Sequence, residues 1–236
     1  MRQRILDVRG AVPDVAPEAA GAARGLVLSE SGLTAVPAWV GELTRLTMLD
    51  LAHNQLSAVP AELAALSAIE VLYLGDNRFT ELPGFVRALR RLVYLGADAN
   101  ALIALPDWIG ELEGLVELRL QGNELERLPD AIGELRALRA LHLRDNHLAD
   151  VPDTLAGLTA LRHLDLRANR LVEIPRAITA LPGLRVLDLR ANRLTSVPES
   201  ILALNALEKL DLRWNDLTER PPVLDELERR GCFVLW

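Results

Sequence analysis

The sequence is poor in the residues on which several protein classes depend. Cys232 is its single cysteine, so no disulfide can form within the chain, and only 4% of the residues are aromatic. Acidic residues outnumber basic ones by 33 to 26, and the formal net charge of −7 disfavours binding to nucleic acid or to an anionic membrane. No apolar run approaches the ~18 residues that span a bilayer, and the N-terminal segment lacks the apolar stretch of a secretory signal. We therefore predict a cytoplasmic protein.

The sequence motifs of the common enzyme classes are absent as well. There is no GxxxxGK phosphate-binding loop, no GxGxxG dinucleotide-binding motif, no HExxH zinc motif and no GxSxG nucleophile motif. Cys232 lies far in sequence from every histidine, whereas a cysteine nucleophile needs a nearby activating base. The prediction is a protein that is not an enzyme, with no catalytic residues, no cofactor, no metal and a structural thiol.

Leucine, in contrast, is abundant and regularly spaced. It supplies 50 of the 236 residues. Asparagine and proline recur with the same period of 23 residues, and two residue types that keep one period over eight or nine copies indicate internal repeats. The asparagines are Asn54, Asn77, Asn100, Asn123, Asn146, Asn169, Asn192 and Asn215, and the prolines are Pro37, Pro60, Pro83, Pro106, Pro129, Pro152, Pro175, Pro198 and Pro221.

Each part of the repeat has a physical role. Leu49 and Leu51 alternate with polar or small residues, which predicts a short strand with the leucines facing inward. Asparagine can pair with backbone groups where the chain turns, and proline favours the start of a helical or 3-10 segment. One unit cannot bury its apolar face alone, so stacked units are expected to share a continuous core beneath a parallel sheet.

The pattern LxxLxLxxNxLxxLPxxIxxL resembles the leucine-rich repeat superfamily in its 23-residue form, and most of all the intracellular Ras-group repeats, which also occur in bacterial ROCO proteins. The resemblance implies an α/β fold, a horseshoe-shaped solenoid with a parallel concave sheet, short helical or 3-10 convex segments, and a partner-binding function. Three units depart from the pattern: Ser31 replaces the asparagine, Ala97 an inward leucine, and Arg220 the leucine before proline.

The repeats define one domain with a cap at each end. Residues 1–22 are predicted to form the N-terminal cap, with a short helix around Ala16–Ala20, and residues 23–229 form nine repeats. Residues 230–236 are predicted to form a C-terminal capping strand. Counting 23 residues on from Leu210 and Leu212 places Phe233 and Leu235 on the inward side of that strand.

Charged residues form two columns on the predicted concave face of the last repeats. Outward strand positions of units six to nine hold eight basic and four acidic residues, a local excess of positive charge that suits an acidic or phosphorylated segment. A solvated Arg–Asp pattern copied by repeat duplication is the alternative, and interleaved ion pairs are expected in either case. The candidate binding residues are Arg119, Arg144, Asp165, Arg167, Asp188, Arg190, Asp211 and Arg213.

The first repeats carry a different set of outward side chains. Met48, Val71, Tyr73 and Tyr94 are apolar or amphipathic, and the neighbouring Gly75 and Gly96 are expected to leave open space beside the tyrosines. Such side chains are candidate anchors for a partner, with ordinary cross-strand packing as the alternative. Trp214, beside Arg213, is a further candidate anchor near the C-terminal end.

The predicted function is non-enzymatic binding of a protein or peptide on the concave face, by a module that is a monomer. Two alternatives remain open. His142, His163 and Asp165 share one face and could hold a metal or serve acid–base catalysis, but the sequence favours a solvated polar patch, since it shows no further partner or enclosing pocket for them. The second alternative is self-association through Trp236 and the edge of the terminal strand.

Overall fold

The computed structural model of the protein describes residues 5–236 as an open sheet of eleven parallel strands in sequence order. Each strand has three residues, and most strands are followed by one short 3-10 segment. The strands are β1 (Ile5–Asp7), β2 (Gly25–Val27), β3 (Met48–Asp50), β4 (Val71–Tyr73), β5 (Tyr94–Gly96), β6 (Glu117–Arg119), β7 (Ala140–His142), β8 (His163–Asp165), β9 (Val186–Asp188), β10 (Lys209–Asp211) and β11 (Phe233–Leu235).

The segments that return the chain to the next strand begin directly after a proline in each of the repeats from β2 to β9. The amide of Leu63, for example, donates to the carbonyl oxygen of Pro60 at 3.2 Å. Two segments are α-helical: α1 (Arg176–Thr179) and α2 (Val223–Arg229). The others are 3-10 helices at Ala20–Ala22, Ala38–Glu42, Ala61–Ala65, Gly84–Ala88, Asp107–Glu111, Asp130–Glu134, Asp153–Gly157 and Glu199–Ala203. The predicted repeat of short strand and short helical segment is confirmed.

A single apolar core runs the length of the stack. The inward leucines of the strands, such as Leu49, Leu118 and Leu210, have no exposed surface, and the core extends from Ala20 to Val234. At the N-terminal end, the indole Nε1 of Trp39 donates to the carbonyl oxygen of Pro13 at 2.9 Å, which holds the N-terminal segment to the first repeat. No helix within residues 5–236 is long and apolar enough to cross a membrane.

The two ends depart from the 23-residue register. Strands β2 to β10 pair with an offset of 23, as in Leu49 opposite Leu72, but Val234 of β11 lies opposite Leu210, an offset of 24. The prediction that Phe233 and Leu235 face inward is therefore wrong, because the seven-residue helix α2 replaces a five-residue 3-10 segment and shifts the register by one. Val234 is buried and Phe233 is 61% exposed.

The N-terminal segment contains a strand that the sequence pattern did not predict. Ile5 lies opposite Gly25, so β1 extends the parallel sheet beyond the first repeat. The helix expected around Ala16–Ala20 is a single 3-10 turn at Ala20–Ala22, which starts with a hydrogen bond of 2.8 Å from the amide of Ala20 to the carbonyl oxygen of Pro17. Residues 1–4 of the predicted cap lie outside the described residues.

The repeated asparagines form a ladder that ties neighbouring units together. The side-chain nitrogen of Asn146 donates to the carbonyl oxygens of Leu120 and Leu143, both at 3.0 Å, and its oxygen accepts the amide of Leu125 at 3.0 Å. Each asparagine thus satisfies backbone groups of its own unit and of the preceding one. The same bonds are made by Asn54, Asn77, Asn100, Asn123, Asn169, Asn192 and Asn215.

Ser31 replaces the asparagine in the first repeat, and its hydroxyl covers part of that role. It donates to the carbonyl oxygen of Ser29 at 3.1 Å and accepts the amide of Gly10, in the N-terminal segment, at 3.0 Å. The shorter side chain is sufficient here because the segment before β2 is not a standard repeat.

The residue before each ladder position adopts the left-handed backbone conformation. Its φ angle lies between +49° at Ala99 and +68° at Gly122. This conformation costs an L-amino acid about 1–2 kcal/mol and costs glycine almost nothing, yet glycine occurs only once in the series. The residues are Glu30, His53, Asp76, Ala99, Gly122, Asp145, Ala168, Ala191 and Trp214. The tight turn after every strand is therefore imposed by the stack rather than by local preference.

Replacing Asn146 by alanine should lower the free energy of unfolding by about 3 kcal/mol or more, because three buried backbone groups lose their partner. Urea unfolding followed by circular dichroism measures the change. Asn205→Ala is the matched control, since Asn205 is exposed and lies outside the ladder, and it should change the value by less than about 0.5 kcal/mol. Equal effects of the two substitutions would contradict the structural role of the ladder.

Gly122→Ala should destabilise the protein by about 0.5–1 kcal/mol, because alanine is strained at positive φ. Steric clash makes no contribution, since a Cβ atom at Gly122 would have its nearest contacts at 3.6 Å, with the backbone of Ala99. The reverse change, Ala99→Gly, should raise the free energy of unfolding by a similar amount. Destabilisation by both changes would contradict this explanation.

Candidate partner-binding face

The outward side chains of the sheet form three parallel columns, which together we call the sheet face. The first and third residues of each strand supply two columns, and the residue two positions after the strand supplies the third. The strand register places Tyr94 between Val71 and Glu117, and Asp188 between Asp165 and Asp211. All thirteen candidate binding residues except Trp214 lie in these columns.

The first repeats contribute a cluster of aromatic side chains to the sheet face. The rings of Tyr73 and Tyr94 are 5.0 Å apart between centroids and tilted by 48°, and the guanidinium of Arg119 lies 5.7 Å from the centroid of Tyr94. Burial raises the pKa of Tyr94 to about 12, although the nearby charge of Arg119 acts in the opposite direction. These side chains, and those of Met48 and Val71, are half-buried. The cluster is a preformed amphipathic surface.

The expected open space beside the tyrosines is occupied. A Cβ atom at Gly96 would lie 3.2 Å from the ring and from the hydroxyl of Tyr94, and one at Gly75 would lie 3.0 Å from the carboxylate of Asp98. The two glycines therefore make room for Tyr94 and Asp98 rather than for a partner. The prediction failed because a neighbouring side chain covers each glycine: Tyr94 from the adjacent column, and Asp98 from the next repeat of the same column.

The last repeats contribute a chain of ion pairs. Arg190 forms hydrogen bonds with Asp188 and approaches Asp211, with 3.4 Å between Nε and Oδ2, while Arg213 binds Asp211 through two bonds of 2.8 and 3.0 Å. Only 1% of the Asp211 side chain is exposed. Burial alone would raise the pKa of Asp211, but hydrogen bonds from Arg213 and the charge of Arg190 outweigh it and hold the pKa below its usual value.

Two arginines in the middle of the column are less restrained. Arg144 lies beside Asp145, with 2.9 Å between Nε and Oδ2 at an angle too poor for a hydrogen bond. The backbone amide of Arg167 donates to Asp165, but within residues 5–236 the Arg167 guanidinium forms no ion pair. Among the arginine and lysine side chains of the sheet face, only Arg167 and Lys209 therefore form no ion pair within residues 5–236.

The histidine cluster does not have the geometry of a metal site. The rings of His142 and His163 are 5.0 Å apart and tilted by 40°, and His142 Nε2 lies 3.8 Å from Glu117 Oε1. Asp165 accepts the amide of Arg167 instead of approaching the histidines at hydrogen-bond distance. Across residues 5–236, no group of three or more His, Cys, Asp or Glu side chains is placed to hold a metal ion. Glu117, which the sequence analysis did not single out, also pairs with Arg119 at 2.6 Å.

The two C-terminal tryptophans have separate environments. Trp214 is 69% exposed and carries the guanidinium of Arg213 at 5.5 Å from its ring. Trp236 is stacked in the same way with Arg220 at 5.6 Å, and Arg220 in turn binds Asp225 and Glu228 of α2. Trp214 is the exposed anchor candidate at this end of the sheet.

The lone cysteine is unsuited to nucleophilic chemistry. Cys232 is buried just before β11, and burial raises the pKa of its thiol to about 11. At neutral pH the thiol is therefore protonated, and the thiolate, which is the reactive form, is scarce.

Two histidines should give opposite contributions to the pH dependence of stability. Burial, and then the proximity of His163, lower the pKa of His142, so its contribution is lost as the pH falls below about 6.5. A hydrogen bond with Asp76 raises the pKa of His53, so its contribution is present at low pH and lost as the pH rises. Urea unfolding at pH 7.5 and 5.5 should show a smaller acid-induced loss in His142→Gln and a larger loss in His53→Gln. Changes of the same sign would contradict these assignments.

Known sequence families match most of the repeats. A leucine-rich repeat model matches residues 113–171 and 159–217, and a leucine-rich repeat region model matches residues 26–122. Among curated proteins, none matches the chain.

Solved structures with the same architecture come from several bacterial proteins. A leucine-rich repeat protein of Leptospira interrogans is 34% identical, with a TM-score of 0.87 over 92% of this chain and 55% of its own length. The leucine-rich repeat domain of the type III effector XopL is 28% identical, with a TM-score of 0.80 over 92% of this chain and 78% of that domain. An internalin from Listeria monocytogenes shares the fold at 21% identity, with a TM-score of 0.80 over 91% of this chain and 61% of its own.

The chain thus spans little more than half the length of the Leptospira and Listeria proteins. The matches of sequence and structure agree with the asparagine ladder and the parallel sheet. The chain is a leucine-rich repeat protein.

Proposed function

We propose that the protein is a non-enzymatic interaction module that binds a protein or peptide on its concave sheet face. The proposal rests on two features of the same face: the half-exposed aromatic cluster of Tyr73 and Tyr94, and the guanidinium of Arg167, which forms no ion pair within residues 5–236. Stacked repeats present such a face as one extended surface, and rigid aromatic side chains are frequent anchors at protein interfaces.

The binding mechanism has two parts. Tyr73 and Tyr94 supply apolar contact area that is already ordered, because their rings pack on each other and on Arg119. Arg144 and Arg167 supply charge that selects an acidic or phosphorylated residue, since a guanidinium can donate two hydrogen bonds to one carboxylate or phosphate. Arg190 and Arg213 are held in ion pairs with Asp188 and Asp211, so they contribute mainly to the shape of the sheet face and little to charge selection.

We further infer that the repeats are of the 23-residue intracellular type found in Ras-group and ROCO proteins, that the module is a monomer, and that it acts in the cytoplasm. The constant offset of 23 residues between strands β2 and β10 supports the repeat type. The single cysteine supports the location, because secreted repeat proteins of this kind usually carry cysteine-rich caps. Nucleic acid is a poor partner, because the acidic column of Asp165, Asp188 and Asp211 lies directly beside the arginine column.

The charge-selection part is tested with peptides selected from a random twelve-residue display library on the wild-type protein. We expect the selected peptides to be rich in Asp and Glu. Arg167→Glu should weaken their binding at least tenfold and reduce its dependence on salt, as measured by fluorescence polarisation at 50 and 300 mM NaCl.

Arg170→Glu is the matched control for this experiment. It makes the same change of charge in the same repeat, but Arg170 is exposed outside the sheet face. Its effect should stay below twofold. In addition, Tyr73→Ala should lower affinity with little change in salt dependence. Equal affinity of the peptides for wild type and Arg167→Glu would contradict charge selection. If Tyr73→Ala also left the peptide affinity unchanged, the result would contradict binding on the sheet face.

A further inference from the structure

A second surface lies away from the sheet face, where the chain passes from the asparagine turn to the next 3-10 segment. Two adjacent cavities of about 380 and 460 Å³ open there, and they share Glu81 and Gly84 in their walls. Their volumes are in the range of sites that hold small ligands or side chains. We call this surface the rim groove, defined by Val59, Glu81, Gly84, Phe85, Ile103 and Trp108.

Gly84 creates the space between the two cavities. A Cβ atom at Gly84 would meet no heavy atom within 4 Å, and its φ angle is not positive, so neither crowding nor backbone conformation requires a glycine here. The equivalent positions of the other repeats carry side chains: Ala38, Ala61, Asp107, Asp130, Asp153, Arg176 and Glu199. The glycine therefore has no role in folding that the structure reveals, but its absent side chain opens the groove.

Large apolar side chains line part of the rim groove. Ile103 is 61% exposed, whereas most equivalent positions hold small or polar residues such as Ser57, Thr80 and Glu126. Trp108 is half-buried, although Trp39 and Phe85 at equivalent positions are buried. Ile103 is thus exposed beside the half-buried Val59 and Trp108, and apolar side chains that remain accessible around an open groove are typical of interaction sites.

Glu81 determines the charge of the groove. It is the only charged residue in the walls of either cavity, and within residues 5–236 its carboxylate forms no ion pair. An exposed carboxylate between two apolar cavities is complementary to a basic side chain flanked by apolar ones. The sheet face, in contrast, offers Arg167, whose guanidinium forms no ion pair within the part of the chain that the structure describes.

We propose that the rim groove is a second docking site, for a protein segment that inserts an apolar side chain on each side of Gly84 and places a lysine or arginine against Glu81. The site is independent of the sheet face and has the opposite charge preference. One module can therefore hold an acidic segment and a basic, apolar segment at the same time.

The proposal is tested on the full chain labelled with 5-fluorotryptophan, whose four fluorine resonances report on Trp39, Trp108, Trp214 and Trp236 separately. The probe is the peptide acetyl-Ala-Leu-Leu-Lys-Leu-Leu-Ala-amide, and its counterpart has Glu in place of Lys. We expect a saturable shift of the Trp108 resonance with the Lys peptide, at least fivefold weaker binding of the Glu peptide, and no shift of the Trp214 resonance.

Two variants and one control complete the test. Gly84→Gln should weaken binding of the Lys peptide at least tenfold without changing the unfolding midpoint, because its side chain fills the groove. Ala38→Gln adds the same side chain at the equivalent exposed position of the first repeat and should have no effect. Glu81→Gln should remove the preference for Lys over Glu.

Three results would overturn the proposal. The first is a Trp108 resonance that neither peptide moves, and the second is equal binding to wild type and Gly84→Gln. The third is a Trp108 resonance that phosphatidylglycerol vesicles shift and the Lys peptide does not. If Gly84→Gln abolished that shift, the groove would be assigned to a membrane surface. None of these results bears on peptide binding at Arg167, so the two sites are tested separately.

Discussion

The structure depends on the way in which each strand ends. After each three-residue strand the chain turns sharply toward the next segment. The turn leaves buried backbone groups that the hydrogen bonds between neighbouring strands do not satisfy. One amide side chain per repeat satisfies these groups in two neighbouring units at once, as Asn146 does for Leu120, Leu125 and Leu143. Because buried backbone groups are costly when unpaired, this single residue fixes both the turn and the distance to the next repeat.

The core and the asparagine ladder stabilise the stack, so the residues on its surface can differ between repeats. On the sheet face, the first repeats carry aromatic side chains and the last repeats carry charged ones. The charges are largely matched within the face, since Asp188 and Asp211 hold Arg190 and Arg213 in place. Repeated charges of one sign would repel each other across a strand spacing, so the adjacent acidic column makes the arginine column possible. What remains for a partner is the charge of Arg167 and Lys209, neither of which forms an ion pair in the described chain.

The rim groove follows from the same freedom in another part of the repeat. A Cβ atom at position 84 would contact no neighbouring unit, so the stack does not need a side chain there. The groove and the sheet face differ in charge and lie on different parts of the repeat. A solenoid of this kind can therefore present two chemically distinct surfaces without a second domain, because each surface uses positions that the core does not need.

The sequence alone determined the architecture, because a period of 23 in leucine, asparagine and proline has one economical solution: parallel strands over a shared core. It also determined which residues share a column. It could not determine which side chain covers a glycine, so open space was expected beside Gly75 and Gly96, which Asp98 and Tyr94 cover. Nor could it predict β1 or the register of β11, where the period stops and the length of α2 decides that Val234, not Phe233, faces the core. Periodicity fixes the interior, whereas side-chain directions and the ends of the stack are settled only by tertiary packing.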